Sequence, residues 1–158
     1  VDFAVLGNGI PDFEMGWTNT ITLGQYTINA AFRGAFGHSL VNTFRAFYEP
    51  RVGSQKSYNY INTELANNEI TNANFSSLYV EEADFFKLDN LTISRPIRDN
   101  INLSLNVRNA FVITDYTGSD PEPALFDLLD GNPLAPGIDR RNSYYSARSF
   151  TLGLNIKF

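Results

Sequence analysis

Apolar and polar side chains take turns along several stretches of this chain, and the period is two. The last ten residues show it without error: Phe150, Leu152, Leu154, Ile156 and Phe158 alternate with Ser149, Thr151, Gly153, Asn155 and Lys157. Such alternation puts one set of side chains on each face of a β-strand. Ile101, Leu103, Leu105, Val107, Phe111 and Ile113 likewise oppose Asn102, Ser104, Asn106 and Arg108, with Asn109 as the polar intruder. Near the start, Met15, Trp17, Ile21 and Leu23 oppose Gly16, Thr18, Thr20 and Thr22. Gly24-Gln25 then predicts a tight turn into a partner strand carrying Tyr26, Ile28, Ala30 and Phe32 against Thr27, Asn29 and Arg33. Phe85 to Arg95 is less regular, since Leu88 and Leu91 are an odd step apart, and a bulge near Asp89 and Asn90 restores the phase.

The connections between these five predicted strands alternate in length. Gly24-Gln25 and Pro96 to Asn100 are short, whereas Gly34 to Asp84 and Asp115 to Arg148 are long. An antiparallel meander with one plain rim and one elaborated rim follows, the shape of outer-membrane barrels with short periplasmic turns and long extracellular loops. Inside the first long loop, Leu40, Val41, Phe44, Phe47 and Tyr48 stand at roughly helical spacing and predict a short helix after Ser39. The second carries Pro121, Pro123, Pro133 and Pro136, a density that keeps it out of the sheet.

Composition narrows the choice. Hydrophobic residues make up 43% of the 158, yet no apolar run approaches the ~20 residues of a membrane-spanning helix. A membrane barrel remains open, because its lipid-facing residues are averaged with polar ones. The formal charge of -5 argues against nucleic-acid binding, which needs cations to neutralise phosphates. Cysteine is absent, so neither disulfides nor cysteine-based metal sites arise. The chain begins at Val1 without a leader, which reads as a piece of a longer product.

A soluble β-sandwich would also alternate. Against it stand the Ser, Thr, Asn and Gly of the opposite face, suited to a wet lumen, and the placing of aromatics. Trp17, Phe32, Phe85, Phe111 and Phe150 fall toward the long-loop side, and Tyr26 and Phe158 toward the short turns, as two interfacial girdles. An open five-stranded sheet in lipid leaves two unpaired edges, so further strands are expected outside this sequence.

At this point the chain resembles the SusC/RagA group of TonB-dependent outer-membrane transporters. Gly7-Asn8-Gly9-Ile10-Pro11-Asp12-Phe13 is similar to its "G-N-x-x-P-x-F/Y", and Gly34 to Asn42 to its "G-x-x-G-x-x-x-x-N". Val80-Glu81-Glu82 through Ile93 resembles "V-E-D-x-x-F-L-R-L-K-N-L-T-L", and Asn109-Ala110-Phe111 with Tyr116 to Glu122 resembles "G-Q-N-L-F" followed by "Y-x-G-x-D-P-E". Arg148 to Asn155 resembles the closing "R-x-F-T-x-G-L-N". Arg98 with the Pro96 turn departs from the pattern, as does Val107-Arg108 where Gly-Gln is usual.

The resemblance spans nearly the whole chain and implies an all-β fold: residues 1–158 as the last five strands of a barrel of about 22 strands, the plug domain and earlier strands lying outside. It implies energised import of oligosaccharides or peptides, with TonB reached through the N-terminal part and a SusD-like surface lipoprotein as lid, the pairs dimerising. Outer-membrane lipid is the implied surrounding, in a Gram-negative bacterium. Phe150, Leu152, Leu154, Ile156 and Phe158 are expected to face lipid, and their alternation resembles the signal read by the insertion machinery. A passive pore or adhesin built on the same barrel is the alternative that periodicity alone leaves open.

Catalytic chemistry finds little support. His38 is the only histidine, so no multi-histidine metal site forms, and without triad partners it reads as a loop residue at the barrel mouth. A barrel-embedded hydrolase is therefore the weakest alternative. Glu81, Glu82 and Asp84 lack the ligand spacing of a calcium loop and read as a solvated start to a strand. Asp127, Asp130 and Asp139 fall in a turn-rich loop, and Arg140 and Arg141 read as solvated charges. No cofactor is expected. Tyr58, Tyr60, Tyr144 and Tyr145 are candidate loop contacts to substrate or lid, since tyrosine both stacks and hydrogen-bonds.

Overall fold

In a computed structural model the chain is described over residues 4–50, 60–67, 69–123, 136–141 and 144–158. Two compact units result: one built from Asp12–Phe36, Phe85–Thr114 and Ser146–Phe158, the other from the N-terminal stretch and the two long connections.

The first unit is a five-stranded antiparallel sheet. Its strands are β1 (Phe13–Leu23), β2 (Tyr26–Phe36), β5 (Phe85–Arg98), β6 (Ile101–Thr114) and β8 (Ser149–Ile156), hydrogen-bonded in that order. Cross-strand register turns the alternation of each strand into continuous rows. Ile21, Ile28, Ile93, Leu105 and Leu152 pair in succession across all five strands, and Asn19, Ala30, Leu91, Val107 and Phe150 form the next row. Above these lie Trp17, Phe32, Leu88 and Phe111, whereas Leu23 pairs with Tyr26, Arg95 with Leu103, and Leu103 with Leu154, nearer the short turns. Between the apolar rows run polar ones on the other face: Thr20, Asn29, Thr92, Asn106 and Thr151, then Thr22, Thr27, Ser94, Ser104 and Gly153.

The bulge expected near Asp89 is present. Ala31 pairs with Asn90 and Phe32 with Leu88, so Asp89 is the surplus residue, and the shift recurs against β6 between Arg108 and Phe111. Asn109 sits there at φ 50°, a left-handed conformation that asparagine tolerates, and its side chain donates to the Ala147 carbonyl at 3.0 Å. Gly24 closes the first hairpin at φ 61°. The second hairpin is shorter than the sequence implies. Pro96 lies inside β5 rather than in the turn, tolerated beside a register shift between Pro96 and Arg98, which leaves Asp99-Asn100 as the connection.

The second unit holds a small sheet that alternation does not reveal: β3 (Ser39–Asn42) pairs antiparallel with β4 (Val80–Glu82) and parallel with β7 (Ile138–Asp139). The helix expected after Ser39 starts later, as α1 (Thr43–Tyr48), because Leu40 and Val41 are drawn into backbone pairing in β3. Asn42 caps it, its side chain accepting from the Arg45 amide at 3.1 Å. Leu40, Ala83 and Tyr116 form the buried apolar centre.

Candidate functional site

Two features of the molecule invite a functional reading: the apolar face of the large sheet, and the polar interior of the long-loop unit.

Many large apolar side chains of these rows are solvent-exposed. Ile21, Leu23, Trp17, Tyr26, Leu105, Phe111 and Ile113 are exposed, as are Phe150, Leu154 and Ile156, and Leu152 reaches 73% exposure. Phe158, beyond the last strand, is exposed as well. Exposed large apolar side chains gathered on one face of a sheet mark a surface that meets something other than water. On the strip toward the long connections the rings stack: Trp17 on Phe32 at 5.3 Å and Phe32 on Phe86 at 5.6 Å between centroids. Phe86 therefore occupies the place expected of Phe85. Phe85 is one residue out of phase, buried on the opposite face, with the Lys87 ammonium 5.0 Å from its ring. Phe150 also departs from the girdle: its row holds Val107 and Leu91, one level nearer the short turns than Trp17 and Phe32.

The opposite face is hydrogen-bonded across strands. Asn106 donates to Asn90 and Thr92 at 2.6 and 2.8 Å, and Thr20 donates to Asn29 at 2.6 Å. Charges also lie there: Arg33 pairs with Asp89, and Lys87 stands 3.8 Å from the same carboxylate. The surplus residue of the bulge thus anchors two cations, one from β2 and one from its own strand.

In the long-loop unit the motif residues converge. Arg45 is buried and forked between two carboxylates, its Nε 2.6 Å from Glu49 and its Nη1 2.6 Å from Glu81. Glu81 Oε2 also accepts from the Thr117 amide at 2.9 Å and its hydroxyl at 2.7 Å. Tyr116 donates to Asp139 at 2.7 Å, and the Asp139 carbonyl accepts from Thr43 at 2.6 Å. Burial by itself pushes the Glu81 carboxyl up, but the Arg45 and Thr117 hydrogen bonds outweigh it and leave the group below the usual carboxylate range. Burial by itself lowers Arg45, and the two carboxylates outweigh it to raise the guanidinium. Tyr116 is pushed up by burial, then by its bond to Asp139.

Glu81 is consequently a half-buried member of an ion network rather than a solvated start to a strand; paired with Arg45, it is held in the loop unit's interior. Asp84 instead accepts from the Gly37 amide at 2.7 Å, and Glu82 is exposed. Asp127 and Asp130 lie outside the described residues. Among the described residues no group of three or more His, Asp or Glu side chains is arranged to hold a metal ion. His38 is buried, its Nε2 3.4 Å from the Pro121 carbonyl. Arg141 is exposed as expected, yet its guanidinium lies 4.1 Å from the Phe47 ring centroid.

A cleft of about 280 Å³ opens beside this network, lined by Phe44, Ile61, Thr63, Ser119, Arg141 and Tyr145 among others. Of the candidate loop tyrosines, Tyr145 lines it and Tyr60 adjoins its Ile61, whereas Tyr144 is exposed to 93%. Tyr58 lies outside the described residues. Sequence reasoning missed the Arg45 network, although Asn42, Glu81, Tyr116 and Gly118 were singled out by motif; nothing in their spacing says that they meet.

No family model matches the chain. Among curated proteins it is similar to two from Formosa agariphila: TonB-dependent receptor P3, 26% identical over 178 residues, and TonB-dependent receptor P39, 28% identical over 185. Both alignments take in 99% of this chain and 17% of the relative, so the chain spans about a sixth of their length. Among solved structures it matches a chain of the RagAB peptide importer in its closed-closed state, with TM-score 0.70 and 18% identity over 95% of this chain and 18% of that one. A second structure of the RagAB peptide transporter gives TM-score 0.69 at 18% identity, over 95% of this chain and 17% of the other. The resemblance read from the motifs therefore holds: the relatives are TonB-dependent receptors, receptors and importers rather than enzymes, and the all-β antiparallel fold is that of the RagAB barrel chain.

Proposed function

We propose that residues 1–158 are the C-terminal wall of an outer-membrane β-barrel, part of a TonB-dependent transporter of a Gram-negative bacterium that imports peptides or oligosaccharides. One observation carries this reading: an aliphatic row, Ile21, Ile28, Ile93, Leu105 and Leu152, crosses all five strands, exposed at Ile21, Leu105 and Leu152 and half-buried between, with a hydrogen-bonded Asn/Thr face behind it. Lipid on one side and a wet lumen on the other satisfy both faces, whereas water on both sides satisfies only one. Strands of 11 and 14 residues are long enough to cross when tilted.

Among the described residues β1 and β8 end the sheet with unpaired edges, which in hydrocarbon must meet further strands of the barrel. Phe150, Leu152, Leu154, Ile156 and Phe158 face lipid in this reading, and their exposed alternation is what the insertion machinery would recognise. The long-loop unit, with Tyr60, Tyr144 and Tyr145, faces the cell exterior and meets substrate or a SusD-like lipoprotein, in pairs that dimerise. Because RagAB is a peptide importer, peptides are the first substrates to try.

The test is uptake of labelled peptides and oligosaccharides by cells carrying the full-length protein, with and without TonB. Uptake should collapse without TonB. Unaided diffusion at an equal rate would instead assign the barrel to passive pores.

A further inference from the structure

We infer that Arg95 and Tyr26 form a seat for the phosphate of a phospholipid headgroup at the short-turn rim of the sheet. The inference rests on the membrane-wall reading and adds a specific lipid contact to it. Arg95 pairs in register with Leu103, and Leu103 with Leu154, so its side chain shares the apolar face with these leucines. Its Nη1 donates to the Tyr26 hydroxyl at 3.0 Å, and its guanidinium carbon lies 5.3 Å from the centre of the Tyr26 ring. Tyr26 in turn pairs with Leu23, and Leu23, Tyr26 and Leu154 are exposed. Among the described residues no carboxylate pairs with Arg95, and its Nε is buried without a hydrogen-bond partner.

A guanidinium on an apolar face is costly unless it reaches water or meets an anion. With Nη1 on the Tyr26 hydroxyl and Nε buried, Nη2 is the guanidinium nitrogen left to donate to a phosphate oxygen, a charge-assisted hydrogen bond. Tyr26, apolar in body and polar at its tip, suits the same boundary depth. Arg95 lies one row inside the Asp99-Asn100 turn, where the apolar face ends, while Ile28, Ile93, Leu105 and Leu152 form the adjoining aliphatic row. A diacyl phospholipid fills both parts, phosphate on Arg95 and acyl chain along that row. Inorganic phosphate would engage only the cation.

The measurement is native mass spectrometry of the full-length protein in mild detergent, titrated with phosphatidylglycerol. Arg95→Gln should lower the apparent affinity for the lipid on the order of tenfold, as loss of a charged hydrogen bond implies. Arg95→Lys should lower it less, and carries the test if the Gln variant fails to insert, since it keeps the charge while losing the fork. Arg108→Gln, on the opposite face beside Asn90, should change nothing. Unchanged lipid retention in the Arg95 variants, equal loss in Arg108→Gln, or displacement of the lipid by millimolar inorganic phosphate would each overturn the inference. A spin label at Leu152→Cys separates the two readings. Oxygen-rich, nickel-poor relaxation there with unchanged lipid retention refutes the phosphate seat alone, whereas a water-exposed label refutes the membrane wall itself.

Discussion

Glu81 carries the pH behaviour of the loop unit. Its carboxyl titrates lower when folded than when unfolded, so on acidification the unfolded state takes up its proton first. The stabilisation is complete above the ordinary carboxylate range and is lost as pH falls through the depressed value. Hydrogen exchange at the Thr117 amide, which donates to Glu81, should accelerate relative to the sheet amides over that acid range, and Glu81→Gln should flatten the dependence. Arg45 is the counterpart. Arg45→Leu leaves Glu49 and Glu81 facing each other with no cation between, a loss of about 3–5 kcal/mol for a buried pair broken on one side. Chemical denaturation followed by a probe in the loop unit should show it. Gly9 is sterically fixed: a Cβ there would come within 2.5 Å of the Pro136 carbonyl and the Gly137 amide. Gly9→Ala should therefore cost about 1–3 kcal/mol, because backbone must move, and the same denaturation should read it out.

At the scale of elements, a strand's two faces respond oppositely to the same change. Leu152→Arg places a cation in the row that crosses all five strands and should cost about 2–4 kcal/mol of folding free energy in lipid, whereas Thr151→Arg on the polar face should cost little. Leu154→Arg, in the row of Arg95 near the rim, should fall between them, since a cation at that depth reaches the headgroups. Urea titration of the full-length barrel in lipid vesicles measures all three, and equal costs for Leu152→Arg and Thr151→Arg would contradict the assigned faces. The short helix depends on its cap: Asn42→Ala removes the acceptor for the Arg45 amide and a contact to Glu81 at 3.2 Å, worth about 0.5–2 kcal/mol for the cap alone.

For the whole molecule, what could be read in advance divides along sequence separation. The five long strands, their hairpin order, the facing of their aliphatic rows and the Asp89 bulge were legible, because period two is a local property and a one-residue slip would carry Ile93 and Leu105 to the wrong face. The sequence by itself determined an antiparallel meander with one greasy side, and its motifs pointed to transporters. Tertiary structure decided the rest. It decided that Phe86 rather than Phe85 joins the aromatic strip, since phase across a bulge depends on which residue is surplus. It turned Leu40 and Val41 from helix to strand, because β4 and β7 offered their backbone partners from distant chain positions. It brought Arg45 to Glu49 and Glu81, Glu81 to Thr117 and Tyr116 to Asp139, and set Arg95 against Tyr26. Polar groups that meet across 36 to 69 positions leave no periodic trace, since which partner satisfies a buried ion depends on where the chain folds back.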